Sequence, residues 1–386
     1  MCAKCDNLSL RNQMGLLHNT VTLFLLICGV SLTVFLCFIF DSTTFPLPKL
    51  QKPLPVAHNG LFPTTMQLLD LPHFQYIINN DVCMTDIAIF AVLIITSHAG
   101  DIEARSAMRR AYPEDKLKHL GIRRIFLLAV SNPKDDVRYN SVTQNALEDE
   151  NHRYSDLVQG NFREAYRNLT YKHMMGLDWV TKYCQQAQYV IKMDDDIVVD
   201  FYRLIHIMNL IVQDRRPLLM GYLLQGTRPV REPANKWFVT QSEFPGSMYP
   251  PFLSGWLYIT TPKDARALLE VSKTVHYFWI DDTYVTGLLA QVAGISHQDI
   301  HQYFTLHSEY LECCIQDKIH LCDYIVGPNG GDPVLLLRFQ RHAASCQERK
   351  CPQRSPDRAL NRTCVAPKKF SAPSQGHGEV KPVPLF

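Results

Sequence analysis

The rhythm of apolar and polar positions changes several times along the 386-residue chain. Residues 21–40 (VTLFLLICGVSLTVFLCFIF) form an apolar run without a charge. At about 1.5 Å rise per residue a helix over such a run spans about 30 Å, the thickness of a bilayer's hydrocarbon core. Signal peptides carry shorter apolar stretches and a small-residue cleavage site, so the run predicts a membrane anchor. Prolines at 46, 48, 53, 55, 63 and 72 follow; proline-rich segments stay extended and act as spacers, which predicts a stem.

Beyond the stem the pattern alternates between two periods. Residues 87–96 (IAIFAVLIIT), 124–130 (RIFLLAV) and 189–193 (YVIKM) are continuous apolar runs of buried-strand length. Between and after them, residues 101–111, 141–150, 162–184 and 200–212 carry helical spacing. Such β-α-β alternation predicts an α/β domain with a mostly parallel sheet flanked by helices. The tail after Cys364 is polar and proline-rich, as in disordered segments. The expected organisation is therefore a cytosolic tail (1–20), an anchor (21–40), a stem (41–80), a catalytic domain (81–345) and a cysteine-containing, largely disordered tail (346–386).

Composition adds two points. A net charge of +2 with no basic cluster gives nucleic acid no electrostatic handle, so no nucleic-acid partner is expected. Eight cysteines lie beyond the anchor (83, 184, 313, 314, 322, 346, 351 and 364) without any C-x-x-C pair. That favours disulfides over zinc, and with them an oxidising compartment, while leaving the pairing open. Lys4 and Arg11 before the apolar run balance Lys49 and Lys52 after it, so charge alone does not orient the anchor. Asn168-Leu169-Thr170 and Asn361-Arg362-Thr363 are glycosylation acceptor patterns. Together with the cysteines they favour a lumenal C-terminal domain.

The candidate chemistry begins at Lys192-Met193-Asp194-Asp195-Asp196. Three carboxylates after a buried strand repel one another unless a cation neutralises them. In extended chain Asp194 and Asp196 point to one side, and their hard oxygens suit Mg²⁺ or Mn²⁺. Strand carboxyl ends are also where open α/β sheets bind ligands. A second acidic pair, Asp281-Asp282, follows an aromatic stretch. It reads either as carboxylates at a helix start or as a general base for a hydroxyl nucleophile.

From about residue 87 to 287 the chain resembles the inverting β1,3-glycosyltransferases (glycosyltransferase family 31), the β1,3-galactosyl- and β1,3-N-acetylglucosaminyltransferases. The motifs occur in the family's order. Arg105-Ser106-Ala107-Met108-Arg109 resembles its R-x-x-I-R element, although Ala111-Tyr112 stands where Thr-Trp is usual. Asp156, Phe162, Tyr166, Asn168-Leu169-Thr170-Tyr171-Lys172, Trp179 and Cys184 follow the next stretch. Lys192 to Asp196 resembles K-x-D-D-D, and Tyr249-Pro250-Pro251 with Ser254-Gly255 and Tyr258 its tyrosine–proline segment. Asp281-Asp282-Thr283-Tyr284-Val285 resembles E-D-V-Y-V, with Asp281 in place of glutamate, and Trp256 stands where small residues are common.

The resemblance implies a GT-A type nucleotide-diphospho-sugar transferase domain behind the anchor, as in Golgi type II membrane enzymes. It implies a UDP-sugar donor (UDP-galactose or a UDP-N-acetylhexosamine), a glycan acceptor on glycoprotein or glycolipid, and a β1,3 linkage formed with inversion. Asp194, Asp195, Arg105, Arg109, Thr96 and Ser97 would lie near the donor, Asp194 and Asp196 would hold Mn²⁺ or Mg²⁺, and Asp282 beside Asp281 would be the base. A late histidine would complete the metal shell; of His297, His301, His307 and His320, His320 is the choice made here. The alternative is a catalytically inactive, glycan-binding or chaperone-like member of the same fold.

Overall fold

The computed structural model describes residues 66–84, 88–131, 142–211 and 217–365. The expected anchor, the first part of the stem and the terminal tail from 366 lie outside the described residues. The strands are β1 (Met66–Leu68), β2 (Leu71–Phe74), β3 (Tyr76–Ile78), β4 (Ile89–Thr96), β5 (Ile122–Val130), β6 (Leu157–Arg163), β7 (Ala187–Asp194), β8 (Ile197–Val199), β9 (Leu219–Leu224), β10 (Phe252–Thr260), β11 (His297–Asp299) and β12 (Val326–Pro328). The principal helices are α1 (Ile102–Ala111), α2 (Gln144–Tyr154), α3 (Leu169–Tyr183), α4 (Phe201–Ile211), α5 (Pro262–Ser272), α6 (Ser308–Gln316) and α7 (Pro333–Arg349).

Eight strands form one sheet in the order β11-β9-β10-β7-β4-β5-β6-β3. The three apolar runs read from sequence are its centre: β4 pairs in parallel with both β5 and β7. The sheet is mostly parallel but mixed: β4–β5, β4–β7, β5–β6 and β9–β11 pair in parallel, whereas β10 runs antiparallel between β7 and β9, and β3 antiparallel on β6. Side chains of β4 alternate between the two faces. From residue 91 onward Ala91, Leu93 and Ile95 enter one core, Val92 and Ile94 the other, and all are fully buried. That two-sided burial explains why β4 reads as an unbroken apolar run.

The helix over residues 162–184 is shorter than its spacing suggests. Leu157–Arg163 is a strand, and α3 begins only at Leu169. Gly176 lets α3 press on the sheet, since a Cβ there would come within 2.5 Å of a Leu127 methyl. Polar side chains start three of the other helices: Asp101 accepts from Ala104 N, Thr143 from Ala146 N and Thr261 from Asp264 N.

Both expected domain edges shift. β3 belongs to the main sheet, so the stem cannot extend to residue 80. At the other end α7 runs through the 345/346 boundary, and Cys364 is bonded to Cys313. All eight cysteines pair: Cys83–Cys184, Cys313–Cys364, Cys314–Cys322 and Cys346–Cys351. This bears out disulfides over zinc and supplies the pairing. Cys83–Cys184 joins residues separated by 101 positions, and both are fully buried. Replacing both by alanine is expected to cost about 2–5 kcal/mol, because a long loop constrains the unfolded chain strongly. Thermal unfolding of the double variant measures it.

Candidate active site

The site grows from the carboxyl ends of the central strands. Thr96 ends β4 and pairs in register with Asp194, which ends β7. Next to β7, β10 keeps its ladder from Leu257 onward, but its register against β9 shifts between Leu253 and Tyr258. Ser254, Gly255 and Trp256 lie in that irregular stretch and line a cavity of about 580 Å³. Thr96, Lys192, Asp194 and Asp196 contribute to its lining, and so do Asp281 and Asp282. The first and second acidic motifs, nearly ninety residues apart in sequence, therefore share one cavity.

Lys192 links them. Its side chain is buried, and Nζ donates to Asp194 Oδ1 (2.7 Å) and to the carbonyl of Gly255 (2.6 Å). Gly255 N in turn donates to Asp282 Oδ2 (3.3 Å), and Thr283 N to Asp282 Oδ1 (2.7 Å). One lysine thus faces several carboxylates. Burial raises Asp194 to about 6 and Asp195 to about 7, with neighbouring carboxylates adding to the shift. Burial and the adjacent Asp281 push Asp282 up to about 7.

Asp281 is held differently. Its Oδ2 meets His173 Nδ1 at 2.9 Å, and His173 Nε2 meets the Tyr258 hydroxyl at 2.6 Å. Burial would raise its pKa, but the His173 hydrogen bond and Lys192 outweigh that and keep it low. Burial keeps His173 neutral by lowering its pKa. The two adjacent aspartates therefore divide: Asp281 is an ionised, hydrogen-bonded anchor, and Asp282 is a proton acceptor near neutral pH. A π-helical stretch, Thr283–Leu289, starts directly after Asp282; such stretches recur at functional sites.

The other sequence-derived candidates fall in several places. Ser97 is buried beside the tip of β4, its carbonyl accepting from Lys172 Nζ (2.7 Å), while Lys172 also pairs with Glu164 (2.5 Å). Arg105 and Arg109 do not line the cavity. Arg105 is fully buried, with a two-pronged pair to Glu150 (2.8 and 2.7 Å) and a bond from Nη1 to the His98 carbonyl (2.6 Å). Arg109 pairs with Glu150 and Asp156, each at 2.7 Å. Arg105 thus braces the turn after β4 from behind, and Arg109 ties α1 to α2 and to Asp156.

His320 is also outside the lining. Its Nδ1 meets Asp317 at 3.0 Å beside Arg354. His297 bonds to the Thr286 carbonyl (2.6 Å) and His301 to Asp299 (2.6 Å). Of the four, His307 has a buried Nδ1 without a partner, and it follows Leu306, which lines the cavity. Asn168 is 5% exposed and donates through Nδ2 to the Arg163 carbonyl (2.9 Å). A glycan there would have to break that bond and leave the interior, whereas Asn361 is exposed.

Among the described residues no group of three or more His, Cys, Asp or Glu is gathered as a metal cluster. Asp194 and Asp196 offer hard oxygens to the cavity, and Asp195 Oδ2 and Thr96 Oγ1 beside them are buried without partners. That set suits a hard divalent cation whose remaining ligands come from a bound phosphate or water.

An aromatic wall escaped the sequence reading. Lys236 and Trp237 line the cavity from a region without periodicity, and Tyr222 lines it from β9. Arg231 holds that region in shape, donating to the carbonyls of Val239, Thr240, Phe244 and Gly246. Trp237 Nε1 donates to the Tyr166 hydroxyl (3.0 Å), tying the wall to the start of α3. Trp256, left between stacking and packing by its sequence, lines the cavity and also packs on a core cluster.

Residues 103–301, just over half of the chain, match the Galactosyltransferase family. The chain is 33% identical over 222 residues to mouse β-1,3-galactosyltransferase 2, covering 57% of this chain and 51% of that protein. It thus spans about half the length of that relative. It is 30% identical over 268 residues to human β-1,3-galactosyltransferase 5 (68% of this chain, 81% of that protein) and 32% over 266 residues to the mouse form (68% and 82%). By this match and these relatives, the chain belongs to the galactosyltransferase family, among the β1,3-glycosyltransferases.

Proposed function

We propose that this protein transfers galactose or an N-acetylhexosamine from a UDP-sugar to a glycan acceptor, forming a β1,3 linkage with inversion. One observation carries the reading: Asp194 and Asp196, at the end of β7, share a single cavity with Asp282. The first pair is suited to a metal-bound diphosphate, and the second group to a hydroxyl proton.

In the proposed reaction Asp282 takes the proton of the attacking hydroxyl as its oxygen bonds to the anomeric carbon. The bond from that carbon to the diphosphate oxygen breaks, and UDP leaves from the opposite face. Asp281, anchored by His173 and Tyr258, keeps the neighbouring backbone in place and its negative charge raises the basicity of Asp282. Mn²⁺ or Mg²⁺, held by Asp194 and Asp196 with His307 the best-situated histidine to join them, would offset charge on the departing UDP. Lys192 holds Asp194 and the Gly255 carbonyl, which keeps the two halves of the site in register.

The rest of the proposal concerns place. Four disulfides support an oxidising, lumenal compartment. With the apolar run at 21–40, they support a single-pass type II protein of the Golgi membrane. Calorimetric titration of the full-length protein with UDP tests the donor half of the site. Binding is expected with Mn²⁺ and to weaken at least tenfold with EDTA or on Asp196→Ala, an interval of about 1.4 kcal/mol or more. Equal UDP binding with and without metal would remove the metal-bound donor from the reading.

A further inference from the structure

Two residues that line the cavity carry polar atoms that the fold buries without a partner in the protein. Trp279 is 4% exposed and Tyr249 6% exposed, and both line the cavity. Neither the Trp279 indole nitrogen nor the Tyr249 hydroxyl has a hydrogen-bond partner. Burial of such groups is unfavourable unless something completes them. Lining residues with this property are suited to a polar ligand.

Both rings are held in place. The Arg167 guanidinium lies 4.3 Å from the Trp279 ring centre and covers one face. Recognition through Trp279 therefore falls to its edge, where the N–H can only donate. Tyr249 packs against Phe244 (4.8 Å between ring centres) and Phe278 (5.8 Å), the residue next to Trp279. The phenol can both donate and accept.

Their place along the chain ties them to Asp282. Trp279 lies three residues before Asp282, on the segment that leads into the π-helical stretch. Tyr249 precedes Pro250 and Pro251, which lie close to Gly287 within that stretch: a Cβ there would meet Pro250 Cγ at 3.4 Å and the Pro251 carbonyl at 3.6 Å. Asp282 also reaches back to Gly255 N in the strand that the Tyr249 segment enters. Both groups thus belong with Asp282, whereas the donor phosphates are assigned to Thr96, Asp194 and Asp196.

We infer that Trp279 Nε1 and Tyr249 Oη form the acceptor subsite, each bonding an oxygen of the acceptor sugar beside the hydroxyl that Asp282 deprotonates. The inference rests on the transferase reading above and deepens it: the acceptor end is read by hydroxyl or amide oxygens of a sugar.

The test uses the full-length protein with Trp279→Phe and Tyr249→Phe, each of which keeps the ring and removes the polar atom. The acceptors are benzyl β-glycosides of galactose, N-acetylglucosamine and N-acetylgalactosamine. Each variant is expected to raise the acceptor KM about tenfold, with donor KM and kcat within about twofold. The melting temperature should stay level or rise, because an unsatisfied buried group is gone. Deoxy analogues of the working acceptor supply the cycle: one that loses affinity with wild type should lose nothing more with the matching variant.

A rise in donor KM alone would overturn the inference by moving both atoms to the donor. Unchanged KM values for both substrates, or a joint fall in kcat and melting temperature, would also overturn it. Absence of transfer by wild type counts against the transferase reading instead. Saturation-transfer NMR with the same glycosides then decides the subsite, which stands if the two variants lose binding and falls if they keep it.

Discussion

Asp282→Asn is expected to lower kcat by about 10²–10⁴-fold, the usual contribution of a positioned general base, while leaving the fold intact. The sign of its effect on stability follows from its environment. Burial and Asp281 raise the Asp282 pKa to about 7, so the folded state disfavours the ionised carboxylate. Whatever Asp282 contributes to stability is therefore present at acid pH and lost as pH rises toward 7. A neutral amide removes that charge and still accepts from Thr283 N through Oδ1, while its Nδ2 gives up the weaker bond from Gly255 N, so the melting temperature at pH 7.5 should change little. The same shift sets the pH profile. Asp282 accepts a proton only when ionised, so wild-type kcat/KM should fall as pH drops through about 7. A kcat within fivefold of wild type, or an acid limb that persists in Asp282→Asn, would remove this residue from the role of base.

Arg105→Ala is expected to cost about 3–5 kcal/mol of stability, because it leaves the buried Glu150 carboxylate short of its main partner. Arg105 is fully buried and the Glu150 side chain is 8% exposed, so solvent screens the pair little. The substitution also frees the carbonyls of His98 and Ala99, which Arg105 holds at 2.6 and 3.0 Å just after β4. Activity should fall through that displaced turn, in step with the melting temperature. A donor contact behaves otherwise: donor KM would rise with the melting temperature unchanged. Differential scanning fluorimetry beside donor KM values separates the two.

The arginines show where sequence reading stops. Spacing places Arg105 and Arg109 on one side of a helix, but not which side faces the ligand. The partners that turn them inward, Glu150 and Asp156, lie more than forty residues away. Strands β4, β5 and β7 were legible because both faces are buried, which makes them continuous apolar runs. Strand β6 was not, since Gln159 and Gly160 interrupt it. The fold buries that glutamine by bonding its Nε2 to the Ala129 carbonyl (3.1 Å), a long-range contact with no local signature. Both acidic motifs were legible, and what joins them was half so: Lys192 stood in the motif, but the bend in β10 that brings Gly255 to it did not. His320 is the counterexample. Its residue type suited a metal, but Asp317 and Arg354 occupy its surroundings, while His307 keeps a nitrogen without a partner. The wall around Trp237 depends on Arg231 gathering four carbonyls, which no periodicity announces.

The most direct measurement is transfer itself. Purified full-length protein is incubated with UDP-galactose, UDP-N-acetylglucosamine or UDP-N-acetylgalactosamine, the three benzyl glycosides, and either Mn²⁺ or EDTA. NMR of the product reads anomeric configuration and linkage. The expected result is a β1,3-linked product from one donor, lost with EDTA and reduced to near background by Asp282→Asn. An α-linked product, or transfer that survives Asp282→Asn undiminished, would contradict the assignment of Asp282 as the base of an inverting transfer.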